Sequence, residues 1–262
     1  MISYFSSKMI NMVNIKKYIP NLLTLGNLLC GTVATIFAVK GDFFATAILV
    51  MVGILFDFFD GFAARVLQVQ GELGKQLDSL ADMVTSGVVP GIVMMQMLVN
   101  AIDVDAVGYF GVDEYGVTGS NLPYLGLLLT LGAGYRLAKF NIDTRQSDSF
   151  IGVPTPAMSL FVISLPLIAQ FDKESFFIGL IQNQYFLLLI TLVFTYLMNA
   201  EIPLFSLKFK NFSFKDNVIK YVFLLLSVIL IVTLKIVAIP LIILSYVVLS
   251  LVHNSDKKLS TK

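Results

Sequence analysis

Long apolar runs separated by short polar stretches dominate the chain, and eight of them read as helices. They cover residues 20–39, 43–66, 78–100, 122–140, 154–171, 184–200, 218–234 and 236–252. Each approaches the ~20 residues that cross about 30 Å of hydrocarbon as a helix. The apolar positions cluster into runs rather than into short periodic stripes, which marks membrane spans. The pattern therefore predicts an all-α fold, a polytopic membrane bundle of about eight transmembrane helices. Residues 1–19 differ: they mix apolar positions with Lys8, Lys16 and Lys17 and read as an interfacial amphipathic helix. They lack the clean apolar core and small-residue cleavage site of a secretory signal. The expected organisation is an interfacial helix over 1–19, a core over 20–200, and two additional transmembrane helices with a cytoplasmic tail over 201–262.

Composition sharpens this. The chain is 57% apolar and 13% charged, about half the ~25% charge of a soluble domain. A net charge of +1 gives no reason to expect a nucleic-acid partner. Cys30 is the single cysteine, so no intramolecular disulfide forms, and His253 is the single histidine. A histidine base or histidine metal site is thereby set aside. With a cytoplasmic N-terminus, 15 of the 18 Lys and Arg residues fall on the inner side; only Lys40, Lys173 and Lys235 fall outside. That positive-inside bias puts both termini in the cytoplasm of a cell bounded by this membrane. The connection 101–121 carries Asp103, Asp105, Asp113 and Glu114 without a basic residue, as an outer loop can.

The chemistry concentrates where the second span ends and the third begins. Asp57 and Asp60 stand three residues apart, Asp78 and Asp82 four apart, so each pair shares one helix face. The short link makes the two helices antiparallel neighbours whose acidic faces can converge. Four carboxylates at an apolar boundary repel one another, and ionisable residues there are costly and usually functional. A bound cation relieves the repulsion. Oxygen ligands without His or Cys point to Mg²⁺, Mn²⁺ or Ca²⁺ rather than Zn²⁺. Two such ions would clamp a pyrophosphate. Gly61 and Ala64 share the face of Asp57 and Asp60 and leave room for a base or phosphate. Arg65 offers a fixed positive fork.

These residues resemble the signature of the CDP-alcohol phosphatidyltransferase family, D-x-x-D-G-x-x-A-R, eight residues, G-x-x-x-D-x-x-x-D. Asp57, Asp60, Gly61, Ala64, Arg65, Gly74, Asp78 and Asp82 match every position, with the gap Val66–Leu73 intact. The resemblance implies a six-helix membrane core, a cytoplasmic site and a homodimer. It implies Mg²⁺ or Mn²⁺, two per site, on Asp57, Asp60, Asp78 and Asp82, with Asp82 also the proton acceptor for the incoming alcohol. It implies that Gly61, Ala64, Arg65 and Gly74 hold the CDP-lipid, joined by Asn21 and Thr24 of Pro20-Asn21-Leu22-Leu23-Thr24. Gln76–Thr85, Arg136–Asn141 and Gly152–Ala157 are similar to the membrane-type serine synthases of the family. CDP-diacylglycerol and L-serine are then the expected substrates, among membrane lipids.

Arg136, Lys139, Asn141 and Arg145 gather at the inner end of the fourth span and suit a serine carboxylate or a lipid phosphate. Lys139 and Arg145 serve equally as positive-inside anchors. Two rival readings stand beside this one. The acceptor is instead glycerol phosphate or inositol phosphate, or the donor an archaeal-type lipid. Or the aspartates line a cation path, which carboxylates near the bilayer midplane would favour over a cluster at one interface.

Overall fold

A computed structural model describes residues 2–102, 121–143, 150–172, 177–205, 213 and 217–260. The acidic connection around Asp103 to Glu114, and Arg145, lie outside the described residues. Ten α-helices are described, joined by turns and one two-stranded pairing. The first, α1, runs Ile2–Val39 with Pro20 inside it. The segment expected over 1–19 is therefore continuous with the first span rather than a separate helix. A turn at Gly41 (φ +76°) reverses the chain. Asp42 then caps α2 (Phe43–Val66), its Oδ1 accepting from the Ala45 N–H at 3.0 Å.

The third span begins earlier than its apolar run. It opens at Glu72 because Gly71 stops the preceding loop and six residues through Leu77 form one amphipathic turn and more. α3 (Glu72–Asp82) passes into a π-helical segment, Met83–Val88, and then into α4 (Val89–Ala101). The π register is seen in the Val89 N–H, which donates to Val84 O. This composite helix is the centre of the bundle. Two-thirds of its apolar window (67%) is buried, against 17–28% in the other long apolar helices.

A 3₁₀ turn (Leu122–Leu127) leads into α5 (Leu128–Ile142). Next come β1 (Phe150–Ile151), α6 (Thr155–Phe171), the single turn α7 (Ile178–Ile181) and α8 (Gln184–Asn199). β1 pairs antiparallel with β2 (Pro203–Leu204), tying the start of α6 to the end of α8. Gly152 (φ +73°) is needed at this junction, where its N–H donates to Ile202 O at 2.9 Å. The fully buried Met94, Leu98, Leu129, Met158, Leu187 and Phe194 form the core between α4, α5, α6 and α8.

α9 (Val218–Leu234) and α10 (Ala238–Ser260) are joined by a 3₁₀ turn at Lys235, whose φ is +49°. The Phe223 and Tyr246 rings lie 5.7 Å apart. Along one continuous helix these positions would stand about 35 Å apart, so the two helices fold back as a hairpin. Among the described residues four stretches are long and apolar enough to cross a membrane: Tyr18–Val39, Phe43–Val66, Glu72–Ala101 and Val218–Val252, the last comprising both α9 and α10. The expected eight spans are not all matched by this measure, because α5, α6 and α8 are shorter helices of 15, 17 and 16 residues and the last two spans count as one stretch. Large apolar side chains on α1 and α2 point outward, Leu22, Leu29, Met51 and Phe58 among them. A surface of that kind belongs in lipid.

Candidate active site

The middle of α1, the C-terminal part of α2 and α3 meet, and the motif residues converge there. Asp57 and Asp60 descend from α2 and Asp78 from α3; one carboxylate oxygen of each lies within 4.8 Å of the others. Asp57 and Asp78 approach to hydrogen-bonding range of each other. Asp60 accepts from the Thr24 hydroxyl, which also lies 3.1 Å from the Pro20 carbonyl. Two like charges 4 Å apart repel by about 4 kcal/mol at an effective dielectric near 20, so three ionised carboxylates need a counter-charge. Asp78 Oδ1 is buried with no hydrogen-bond partner. An all-oxygen donor set with an orphaned carboxylate oxygen fits a hard divalent cation.

Beside these carboxylates lies an open pocket of about 450 Å³. Asn21, Thr24, Gly61, Ala64, Arg65 and Gly74 all line it, with Asp60 and Asp78 at its floor. The motif spacing thus becomes a single cavity. Space for a ligand is left by the glycine of α2: a Cβ added at Gly61 would meet nothing within 4 Å. Glu72 and Lys75, at the start of α3, complete the rim.

Asp82 stands deeper, one turn beyond Asp78. Its Oδ1 accepts from Asn27 Nδ2 at 3.2 Å, and Arg136 of α5 is close enough to interact with its charge. Arg136 is only 8% exposed, its Nε has no partner, and its guanidinium lies 5.9 Å from the Phe140 ring centre. The other residues expected near an acceptor are engaged elsewhere. Lys139 pairs with Glu201 at 3.4 Å. Asn141 binds α3: its carbonyl accepts from Lys75 Nζ (2.6 Å), its Oδ1 accepts from the Ser79 hydroxyl (3.1 Å), and its Nδ2 donates to Gln76 (3.4 Å).

Asn27 and Thr85 escaped sequence reasoning. Both are buried, at 0% and 1% exposure, and they bond to each other. A signal existed for Asn27. Asn21, Thr24 and Asn27 recur every three residues along an apolar helix, and polar groups inside a span are rarely idle.

Comparison with known proteins gives this geometry a context. A chain from Bacillus subtilis (strain 168) named CDP-diacylglycerol–serine O-phosphatidyltransferase is 32% identical over 152 residues, 56% of this chain and 75% of that one. A protein of the same name from Helicobacter pylori (strain ATCC 700392 / 26695) is 28% identical over 193 residues, 71% of this chain and 72% of that one. An archaetidylserine synthase from Methanothermobacter thermautotrophicus is 28% identical over 160 residues, covering 60% and 61%. The family model described as CDP-alcohol phosphatidyltransferase matches residues 17–197, a stretch that contains Asp57, Asp60, Asp78, Asp82 and every pocket residue described above, and the chain belongs to that family.

Proposed function

We propose that this enzyme transfers the phosphatidyl group of CDP-diacylglycerol to L-serine, giving phosphatidylserine and CMP. The observation that carries the reading is the convergence of six donor-side residues and two carboxylates on one pocket between the middle of α1, the C-terminal part of α2 and α3. The serine assignment draws its support from the names of the relatives from Bacillus and Helicobacter.

Asn21, Thr24, Gly61 and Arg65 hold the CDP group, while the acyl chains lie against the apolar outer faces of α1 and α2. Asp57, Asp60 and Asp78, joined by Asp82, would hold two Mg²⁺ or Mn²⁺ ions. When bound, these ions supply neutralisation of the pyrophosphate charge. Asp82 takes the proton of the serine hydroxyl as its oxygen forms a bond to the lipid-side phosphorus and the bond to the CMP oxygen breaks. Arg136 receives the serine carboxylate. Its buried, unpartnered Nε supports this. Lys139 and Asn141 serve to fix the end of α5.

The enzyme sits in the cytoplasmic membrane with its site facing inward, acting as a homodimer; the charge bias and the family resemblance support these placements. A second donor deserves a trial, because an archaetidylserine synthase is among the relatives. The test is CMP release by purified enzyme with CDP-diacylglycerol or its archaeal ether counterpart, against serine, glycerol 3-phosphate and inositol phosphate. Serine alone should support release. Preferential product formation with glycerol 3-phosphate overturns the serine assignment and leaves the transferase class standing.

A further inference from the structure

Asn27 is fully buried in the middle of α1, and its amide is engaged at both ends. Nδ2 donates to Asp82 Oδ1 at 3.2 Å, and Oδ1 accepts from the Thr85 hydroxyl at 2.8 Å. The Thr85 hydroxyl has a second acceptor on the same residue, the Asn27 main-chain carbonyl at 3.2 Å. An ionised Asp82 can only accept, so the amide nitrogen must face Asp82, which leaves the amide oxygen to accept from Thr85. Thr85 itself belongs to the π segment that begins directly after Asp82.

The surroundings are built to this contact. A Cβ at Gly53 of α2 would stand 2.8 Å from Asn27 Oδ1 and 2.9 Å from Thr85 Cγ2. A Cβ at Gly31 of α1 would collide with the Thr85 hydroxyl and stand 2.9 Å from the Thr85 nitrogen. Three helices thus close on one asparagine–threonine pair. Two glycines permit the approach, and the pair's free end faces a carboxylate.

We propose that Asn27 is a positioning residue for Asp82. It holds Oδ1 by a single N–H and so turns the other carboxylate oxygen toward the acceptor hydroxyl, while Thr85 anchors the far end of the amide. The proposal rests on the reading of Asp82 as the proton acceptor. A misplaced base loses rate out of proportion to the displacement, whereas a pair that merely joined helices would act on stability alone.

The test uses the purified full-length enzyme and CMP release with CDP-diacylglycerol and serine, both varied. Asn27→Ala should lower kcat by roughly 10- to 100-fold, as loss of an orienting partner does, without raising the KM for CDP-diacylglycerol. Thr85→Val should lower kcat less, and Thr85→Ser should restore it. In an Asp82→Asn background, Asn27→Ala should produce no further loss, since both changes remove one function. Multiplying losses overturn the proposal, as does a wild-type kcat in Asn27→Ala beside an impaired Asp82→Asn. Near-normal turnover in Asp82→Asn removes the base assignment instead. If Asn27→Ala is not recovered as folded protein, equal kcat in Thr85→Val and Thr85→Ser overturns it.

Discussion

Gly53→Ala adds one methyl group at the junction of α1, α2 and the π segment, and its effect follows from the distances. The new carbon would sit 2.8 Å from Asn27 Oδ1 and 2.9 Å from Thr85 Cγ2. Neither neighbour can retreat freely, because Asn27 and Thr85 are 0% and 1% exposed and are bonded to each other. Overpacking of this kind costs about 1–3 kcal/mol. The relief available is a shift of the Asn27 amide, which lengthens its bond to Asp82. The variant should therefore lose stability and turnover together. Stability is measured as the fraction remaining monodisperse on size exclusion after a heating series, turnover as CMP release at saturating substrates. Gly61→Ala is the contrast: its Cβ would meet nothing within 4 Å, yet it projects into the nucleotide pocket. That variant should keep the heating midpoint and raise the KM for CDP-diacylglycerol. A Gly53→Ala enzyme with the wild-type midpoint and wild-type kcat would refute the packing argument.

Asp82→Asn should lower turnover by at least the ~10²-fold typical of a lost general base, with donor binding preserved better than in Asp57→Asn, as read by KM. Arg136→Ala should raise the KM for serine more than that for CDP-diacylglycerol; equal effects on both would argue against its contact with the acceptor. Chelation with EDTA should abolish CMP release and Mg²⁺ or Mn²⁺ should restore it; full activity after exhaustive chelation would exclude the cation role of the three clustered carboxylates. In a Cys30→Ser background, a cysteine placed at Gln70 should resist an impermeant thiol reagent in intact cells while one at Gly111 reacts, and the reverse pattern would invert the orientation.

Much of the donor side was legible because it is local. The i, i+3 and i, i+4 spacings fix which aspartates share a face, and the short link 67–71 keeps the end of α2 near the start of α3. The expectation that these two helices pack as direct neighbours was incomplete: α1 packs against both and carries Asn21 and Thr24 to the pocket, which no local spacing shows. The acceptor side was less legible, since it depends on contacts between positions far apart. Asn27 and Thr85 are 58 residues apart and Asn141 reaches Gln76 across 65. No periodicity announces such partners. The π segment was also invisible, because a 3.6-residue reading assumes a uniform helix through Met83–Val88. The C-terminal apolar run gave two helices with Lys235 between them, and the turn at Lys235 folds them back as a hairpin.

The π segment gives the central helix two angular frames. One inserted residue advances the face of a helix by about 100°, and π segments of this sort arise as such insertions, often at functional sites. Above Met83 the helix aims Asp78 and Asp82 at α1 and α2; below Val88 it aims Val89, Val93 and Met97 into the core. The segment uncouples the two, so catalytic aim and packing aim are set separately along one rod. Deleting a single residue from it would heal the helix into regular α geometry. One frame would then be out of phase with its neighbours: the carboxylates would swing away from Asn27, or the core face would turn toward lipid.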